Sequence, residues 1–315
     1  MDISIIICTR NRAAPLARTL AAIGRVRIPA GKSAEIIVVD NGSTDGTAAV
    51  VREALIGNAL VRSISEPQQG QSRARNRGLA AASADLIVFT DDDVAPAEDW
   101  LERLSAPLFA SVAHAVVGCV RIAPSRNRPW MSDFHRAWVA DTATLDPAAP
   151  GRMVGANMAF SRAILAKVPA FDDELGPGAL GFGDDTLFSQ QVKEAGYPIV
   201  FASDAMVEHH FGEERLAASQ WMLSAKRLGQ MDAYISHHWE HEVWRHPRWA
   251  LCKASLQLLR ARIRTFREKS PAPEPYLIAF RHFHALLHYL SESKRPRLYE
   301  RHGLVKLPQT NRPPQ

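Results

Sequence analysis

Short apolar runs separated by amphipathic stretches set the rhythm of the first ninety residues. Ile3-Ser4-Ile5-Ile6-Ile7-Cys8, Ile36-Ile37-Val38-Val39, Val61 to Ile64 and Leu86-Ile87-Val88-Phe89 have the length of buried strands. Between them, Ala14 to Ile23, a stretch from the Asp40–Gly46 turn to about Leu55, and Ser72 to Ala82 carry helical spacing. Pro15 is tolerated in a first turn. Ser43 or Thr44 is the expected cap of the second helix and Ser72 that of the third. Strands spaced by helices predict an α/β fold with a mostly parallel sheet, covered by helices on both faces.

The rhythm then loosens. Pro124 to Gly151 is rich in Pro, Arg and Trp and reads as a long connection over the site. Met158-Ala159-Phe160 is a short strand, and Ser161 is placed to cap a helix to Val168. Phe171 to Gly183 is Gly-rich and acidic. Thr186 to Ala195 is a helix closed by Gly196. Ile199 to Phe201 and Ala205 to Val207 read as two short strands. From Arg215 onward the pattern is helical, with breaks at Pro247 and Pro271 to Pro275, and the polar tail from Leu307 is expected to be disordered. The organisation predicted is a domain over 1–212, with halves near 1–122 and 123–212, a basic helical extension over 213–306, and a tail over 307–315.

Charge sharpens that division. The net charge is +5 over 315 residues. Residues 213–315 hold 18 Lys and Arg against 9 Asp and Glu, whereas the remainder holds 20 against 24. An anionic partner follows for the C-terminal third, either a membrane surface or a phosphate-bearing acceptor. No nucleic-acid recognition motif accompanies the charge, so nucleic acid is not expected. Cys8, Cys119 and Cys252 are far apart, which fits a reducing cytoplasm. Met1-Asp2-Ile3 lacks a basic n-region and runs straight into a strand, so no signal peptide is expected. No apolar run approaches membrane-spanning length, since Ala106 to Ile122 is interrupted by His114 and only moderately apolar.

The candidate chemistry sits where strands end. Thr90-Asp91-Asp92-Asp93 follows the fourth strand, and three adjacent carboxylates beside an apolar sheet require compensation. A divalent metal carrying a phosphate-bearing substrate supplies it. A solvated acidic turn, with Asp93 starting a helix near Pro96, is the alternative. Thr9-Arg10-Asn11-Arg12 follows the first strand and Asp40-Asn41-Gly42-Ser43 the second. Neighbouring parallel strands would bring these to the edge where nucleotides bind, although Asp40-Asn41-Gly42 alone is an ordinary turn sequence. In Gly70 to Gly78, Arg73 and Arg77 share a helix face and want an anion between them, unless that face is simply solvated.

Taken in order, these segments resemble the family 2 glycosyltransferases. The likeness runs through Ser4 to Arg12, Val38 to Thr47, Ala74 to Gly78 and Phe89 to Asp93. It continues through Gly155-Ala156-Asn157-Met158-Ala159-Phe160, Phe171 to Gly176, Gly183-Asp184-Asp185 and Val207-Glu208-His209, over roughly two thirds of the chain. The resemblance implies a GT-A catalytic domain, a nucleotide-diphosphate-sugar donor, inversion at the anomeric carbon and a divalent metal, Mn2+ or Mg2+. It implies Asp93 as leading metal ligand, joined by His209, with Asp91 at the sugar nucleotide or a metal-bound water and Asp92 at the sugar nucleotide. Thr9, Arg10 and Asn11 line the nucleotide, Asp40 reads its base or ribose, and Arg73 and Asn76 lie in a segment closing over it. Asp185 matches the general base. The family usually has Glu-Asp there, so Asp184 competes for the role.

The Gln-x-x-Arg-Trp motif of processive synthases is absent, as Arg245-His246-Pro247-Arg248-Trp249 lacks the glutamine. Transfer of a single hexosyl or deoxyhexosyl unit to a saccharide or lipid-linked acceptor, in surface glycan synthesis, is the expectation. A nucleotidyltransferase and a non-catalytic sugar-nucleotide-binding scaffold are the alternatives. Leu256 to Arg267 alternates apolar and basic residues. Its Leu and Ile side chains are expected to pack on the catalytic domain, with peripheral contact to the inner membrane face as a second role.

Overall fold

The computed structural model describes residues 1–54 and 60–308. They divide into two compact units, Met1–Ala179 with Asp184–Gly212, and Leu180–Gly183 with Glu213–Gln315.

The first unit is built on one eight-stranded sheet. Strands β1 (Ile3–Thr9), β2 (Ala34–Asp40), β3 (Leu60–Ser65) and β4 (Leu86–Asp91) run parallel in the order β3-β2-β1-β4. Helices α1 (Ala13–Ile23), α2 (Thr47–Glu53) and α3 (Gln71–Ala81) make the crossovers. The unbroken Ile/Val runs of β1, β2 and β4 are buried along nearly their whole length, as a sheet covered on both faces requires. β3, at the edge, is half exposed and less apolar.

The second half is mixed rather than parallel, which is why its sequence rhythm is weaker. It comprises β5 (Val94–Pro96), α4 (Trp100–Phe109), β6 (Ala115–Ile122), α5 (Asp133–Trp138), β7 (Asn157–Ser161), α6 (Asp184–Glu194) and β8 (Ile199–His209). β7 is antiparallel to both β4 and β6, β6 is parallel to β8, and β5 closes the order antiparallel to β8. Asn157 ties this half together. Its Nδ2 donates to the carbonyls of Cys119 at 2.9 Å and Ala205 at 2.8 Å, and its Oδ1 accepts from the Trp100 indole at 2.8 Å.

Several local expectations are corrected. Neither Ser43 nor Thr44 caps α2. Gly46 holds the cap position, the Asp45 carboxylate before it accepts from the Thr47 amide at 3.0 Å, and the expected helix end at Leu55 lies outside the described residues. Ser72 lies inside α3 and donates its hydroxyl to the Leu175 carbonyl at 2.8 Å, with Gly70 at the cap position. Asp93 does not start a helix near Pro96, because Val94–Pro96 is β5. The helix expected after Ser161 is a 3-10 turn, Arg162–Ala166, with the Ser161 hydroxyl accepting from the Ala163 amide. The two short strands expected between Ile199 and Val207 are one strand. Ala106 to Ile122 is the end of α4 followed by β6. Of the tail expected to be disordered, residues 309–315 lie outside the described set.

The second unit is helical. α7 (Ala218–Ile235) ends in a π turn over Ser236–Glu240, and α8 (Pro247–Thr265) and α9 (Glu274–Glu292) follow. The helical pattern breaks before Pro247, as expected, and Pro247 begins α8, a position where its missing N–H costs nothing. α9 packs on both α7 and α8. Arg281 grips Asp232 with two bonds of 2.7 Å, and buried Glu292 receives His238 at 2.7 Å and Arg295 at 2.8 Å. Leu256, Leu259 and Ile263, whose side chains are expected to be covered by the catalytic domain, are exposed, while Ala254 and Thr265 of the same helix are buried. No helix among the described residues is long and apolar enough to cross a membrane.

Candidate active site

Parallel register brings the polar strand ends together. Thr9 lies beside Asp40, and Cys8 beside Asp91, so three loops leave one edge of the sheet. Those loops are pinned to one another by hydrogen bonds. The Asn41 amide donates to the Thr9 carbonyl at 2.9 Å, and the Asn11 amide to the Ser43 hydroxyl at 2.9 Å. Asn11, at φ 51°, adopts the left-handed conformation asparagine tolerates and accepts from the Thr44 amide at 2.7 Å. The Asn41 side chain donates to the Glu66 and Gln68 carbonyls and accepts from the Gly70 amide, which fixes the approach to α3. Asp40 accepts from the Ser43 amide at 2.8 Å, and Arg10 is exposed.

The acidic triplet has three separate environments. Asp92 is buried against β1, accepting from the Thr9 hydroxyl at 2.6 Å and pairing with Arg12 Nε at 2.8 Å. Burial pushes its carboxyl up to about 7, with Arg12 pulling the other way. Asp93 is also buried, and its Oδ2 meets Arg12 Nη2 at 2.5 Å. Asp91 is half-buried, and desolvation raises its carboxyl above the ordinary range.

His209, the last residue of β8, faces this group. Its Nδ1 lies 2.9 Å from the Val139 carbonyl, which can only accept, so Nδ1 carries a proton. Its Nε2 points at Asp93 Oδ1 from 3.2 Å. A neutral imidazole would there turn a lone pair onto a carboxylate oxygen. The arrangement demands a positive charge between them, either a proton or a metal ion. Ligand atoms of Asp91, Asp93 and His209 all lie within 4.8 Å of one another. Two carboxylates and one imidazole suit Mn2+ or Mg2+ more than a soft metal, so these residues fit the ion that the resemblance implies.

The acids at the start of α6 are distinct from each other. Asp184 is buried and forms an ion pair with Arg75, whereas Asp185 is half-buried and accepts from the Gly155 amide at 3.0 Å. Burial pushes Asp184 up to about 6, with Arg75 drawing it down. Arg75 lies between the two acidic groups. It comes within 4.0 Å of Asp91, and its guanidinium sits 5.4 Å from the Phe171 ring centroid and 5.9 Å from that of Phe89. Two glycines make room for this pair. A Cβ on Gly155 would collide with the Arg75 guanidinium, and one on Gly176, at φ 84°, would come within 2.9 Å of the Asp184 carboxyl carbon.

The other expected residues of α3 have protein partners. Arg73 pairs with Asp173 at 2.9 Å and with Gln68, so its anion comes from the chain itself. The Asn76 amide donates to the Phe171 carbonyl and accepts from its N–H, both at 2.8 Å, and so fixes the loop carrying that ring. Arg77 is exposed. Arg12 and Arg75 have no role in the sequence expectations, yet they hold three of the five central acids, Asp92, Asp93 and Asp184. For Arg75 a signal existed. Ser72, Arg75, Gly78 and Leu79 follow helical spacing and form the buried face of α3, which turns that arginine inward.

Residues 4–168 match the family model for glycosyl transferase family 2. Glycosyltransferase AglE of Haloferax volcanii is 28% identical over 227 residues, 67% of this chain and 68% of that protein. Succinoglycan biosynthesis protein ExoM of Rhizobium meliloti is 31% identical over 239 residues, 73% of this chain and 74% of that protein. Among solved structures, mannosyltransferase PcManGT from Pyrobaculum calidifontis, in complex with GDP-Man and Mn2+, aligns with TM-score 0.61 at 22% identity. That alignment covers 93% of this chain and 86% of the other. S. aureus TarS 1–349 in complex with UDP aligns with TM-score 0.51 at 18% identity, over 93% and 90%. The shared feature is the fold, a mixed α/β GT-A sheet followed by a helical C-terminal region.

Proposed function

The chain belongs to glycosyl transferase family 2, and from that premise we propose a metal-dependent, inverting transfer of a single sugar from a nucleotide-diphosphate sugar to an acceptor hydroxyl. The observation that carries this reading is the convergence of Asp91, Asp93 and His209 at the sheet edge, with Asp184 ion-paired to Arg75 and Asp185 in no such pair among the described residues.

The residues then divide the work. Asp91, Asp93 and His209 would hold the ion. When bound, a divalent ion supplies positive charge that stabilises the departing diphosphate. Arg12 fixes the orientation of Asp93 and neutralises Asp92, which lies behind it. Asp40, with Thr9, Arg10 and Asn11, forms the nucleotide side, supported by loops that hydrogen bonds already hold in place. Asp185 takes the proton from the acceptor hydroxyl, and its Gly155 contact aims the carboxylate. Asp184 is the weaker candidate for base because Arg75 occupies it. Much of the acceleration would come from aligning the acceptor oxygen with the anomeric carbon.

We take 1–212 as the catalytic part and 213–306 as a basic extension that serves a saccharide or lipid-linked acceptor near an anionic surface. A role in surface glycan synthesis agrees with the name of ExoM. The test is thermal stability against GDP, UDP, CDP and dTDP, each with and without Mn2+. GDP and UDP come first because the two structural relatives hold guanosine and uridine nucleotides respectively. A ligand at about 100 times its dissociation constant adds roughly 2.7 kcal/mol. A metal-dependent rise with one nucleotide is expected, and no rise with any of them would sink the donor assignment.

A further inference from the structure

Five large apolar side chains stand in solvent along one side of α8. Trp249, Leu256, Leu259 and Ile263 are 62, 48, 54 and 66% exposed, and Phe266, which follows the helix directly, is 83% exposed. With exposed Cys252 they fall at 249, 252, 256, 259, 263 and 266, a spacing that alternates between three and four residues. At 3.6 residues per turn such positions form a single stripe about 100° wide. The side of α8 that packs inside the unit lies opposite and is built from other residues, buried Ala254 and Thr265 with half-buried Leu251 and Leu258. The helix therefore has two apolar faces. The fully buried positions of the covered one are small, Ala254 and Thr265, and the uncovered one carries Trp249, Leu256, Leu259, Ile263 and Phe266.

The charge around the stripe indicates what would cover it. Residues 245–269 contain eight Lys and Arg and a single acid, Glu268. On the helical wheel Lys253, Arg260, Arg264 and Arg267 border one margin of the stripe, and Arg248 and Arg262 border the other. Lys253 Nζ lies 3.4 Å from the Trp249 ring centroid, its stem against the aromatic face. A second copy docking through the same stripe would set basic margin against basic margin, which repels. A surface that is apolar beneath and anionic at its boundary matches both features at once. Long basic side chains can then reach headgroups while the stripe enters the acyl region.

We propose that α8 is a membrane-surface helix that lies flat on an anionic phospholipid bilayer, with Trp249, Leu256, Leu259, Ile263 and Phe266 inserted. This goes beyond the transfer reaction and does not depend on it, since none of these residues belongs to the sheet-edge site. It narrows the anionic partner of the basic third to lipid and names the face that meets it.

The test is flotation of the full-length chain with vesicles of phosphatidylcholine alone or of phosphatidylcholine with phosphatidylglycerol. Two variants accompany the wild type, Leu256→Gln/Ile263→Gln/Phe266→Gln and Arg260→Gln/Arg264→Gln. All five positions are exposed, so an unchanged melting temperature is expected and establishes that folding is intact. The expected result is wild-type binding to the anionic vesicles only, weakened by added salt. Each variant should bind about tenfold or more weakly. Absence of wild-type binding to anionic vesicles, or undiminished binding by the apolar variant, would overturn the proposal. So would a wild-type dimer in solution that the apolar variant dissociates, because the stripe would then be a protein interface.

Discussion

His209 Nε2 lies 3.2 Å from one carboxylate oxygen of Asp93, while Arg12 holds the other oxygen of the same carboxylate at 2.5 Å. Asp93 is thus fixed from two sides, and the imidazole is fixed by the Val139 carbonyl. A preset imidazole and carboxylate give a cation little to reorganise. His209→Ala should therefore weaken Mn2+ binding by more than about tenfold, with the fold retained. Calorimetric titration of Mn2+ in the presence of the stabilising nucleotide reads this directly. Removal of metal by chelator should abolish transfer in the wild type. Equal Mn2+ affinity in both proteins would exclude His209 as a ligand.

Asp184 and Asp185 are neighbours in sequence with opposite circumstances. Asp185→Asn should lower kcat by about 100- to 10,000-fold while nucleotide and Mn2+ affinity stay unchanged, the pattern of a lost general base. Asp184→Asn should instead act mainly on stability, because it leaves buried Arg75 without its nearest carboxylate. Steady-state kinetics on both variants, with melting curves alongside, separates the roles. Near-normal kcat in Asp185→Asn together with an inactive but folded Asp184→Asn would reverse the assignment.

The parallel half of the sheet and the positions of the acidic residues were legible because they depend on local pattern. A buried strand flanked by helices has a period and a length, and the polar residues after it must lie at the strand end. Partners are not local. Arg12 reaches Asp93 across 81 residues and Arg75 reaches Asp184 across 109, so nothing near either arginine reveals what it binds. The mixed half was less legible for a related reason, since α4, β5 and β6 carry no repeating strand–helix rhythm. Apolar periodicity also says nothing about cover. Leu256, Leu259 and Ile263 have the spacing of a packed face, yet they lie in solvent.

Arg75 provides a stability test of the interior site. It is buried between Asp184 and Asp91, with Phe89 and Phe171 beside it. Truncating one partner of such a pair leaves a buried charge uncompensated. Arg75→Met should cost about 3–5 kcal/mol, and the double variant Arg75→Met/Asp184→Leu should recover part of that loss. Denaturant unfolding of the three proteins measures both effects. A single variant as stable as the wild type would mean that the pair is solvated.

At the opposite end of β2 from the site, Glu35 supplies a pH-dependent term with no catalytic role. Burial alone would raise its carboxyl. The hydrogen bonds from the Ser4 hydroxyl at 2.6 Å, the Ser83 amide and hydroxyl at 2.9 and 2.7 Å, and Arg62 at 3.1 Å outweigh burial and bring it down to about 2, from an ordinary 4.5. A folded-state value below the unfolded one means that the unfolded chain binds the proton more readily. The stabilisation is therefore complete above about pH 4.5 and disappears as pH falls through about 2. The full shift would correspond to roughly 3 kcal/mol, and solvent around Arg62 reduces the expected contribution to about 2 kcal/mol. Glu35→Gln should show that deficit at pH 7, and the two stability curves should converge between pH 4 and 2. Transfer activity at neutral pH should be unchanged, because no residue of the sheet-edge site touches Glu35. A deficit independent of pH would mean that lost packing, not lost charge, is what the variant reports.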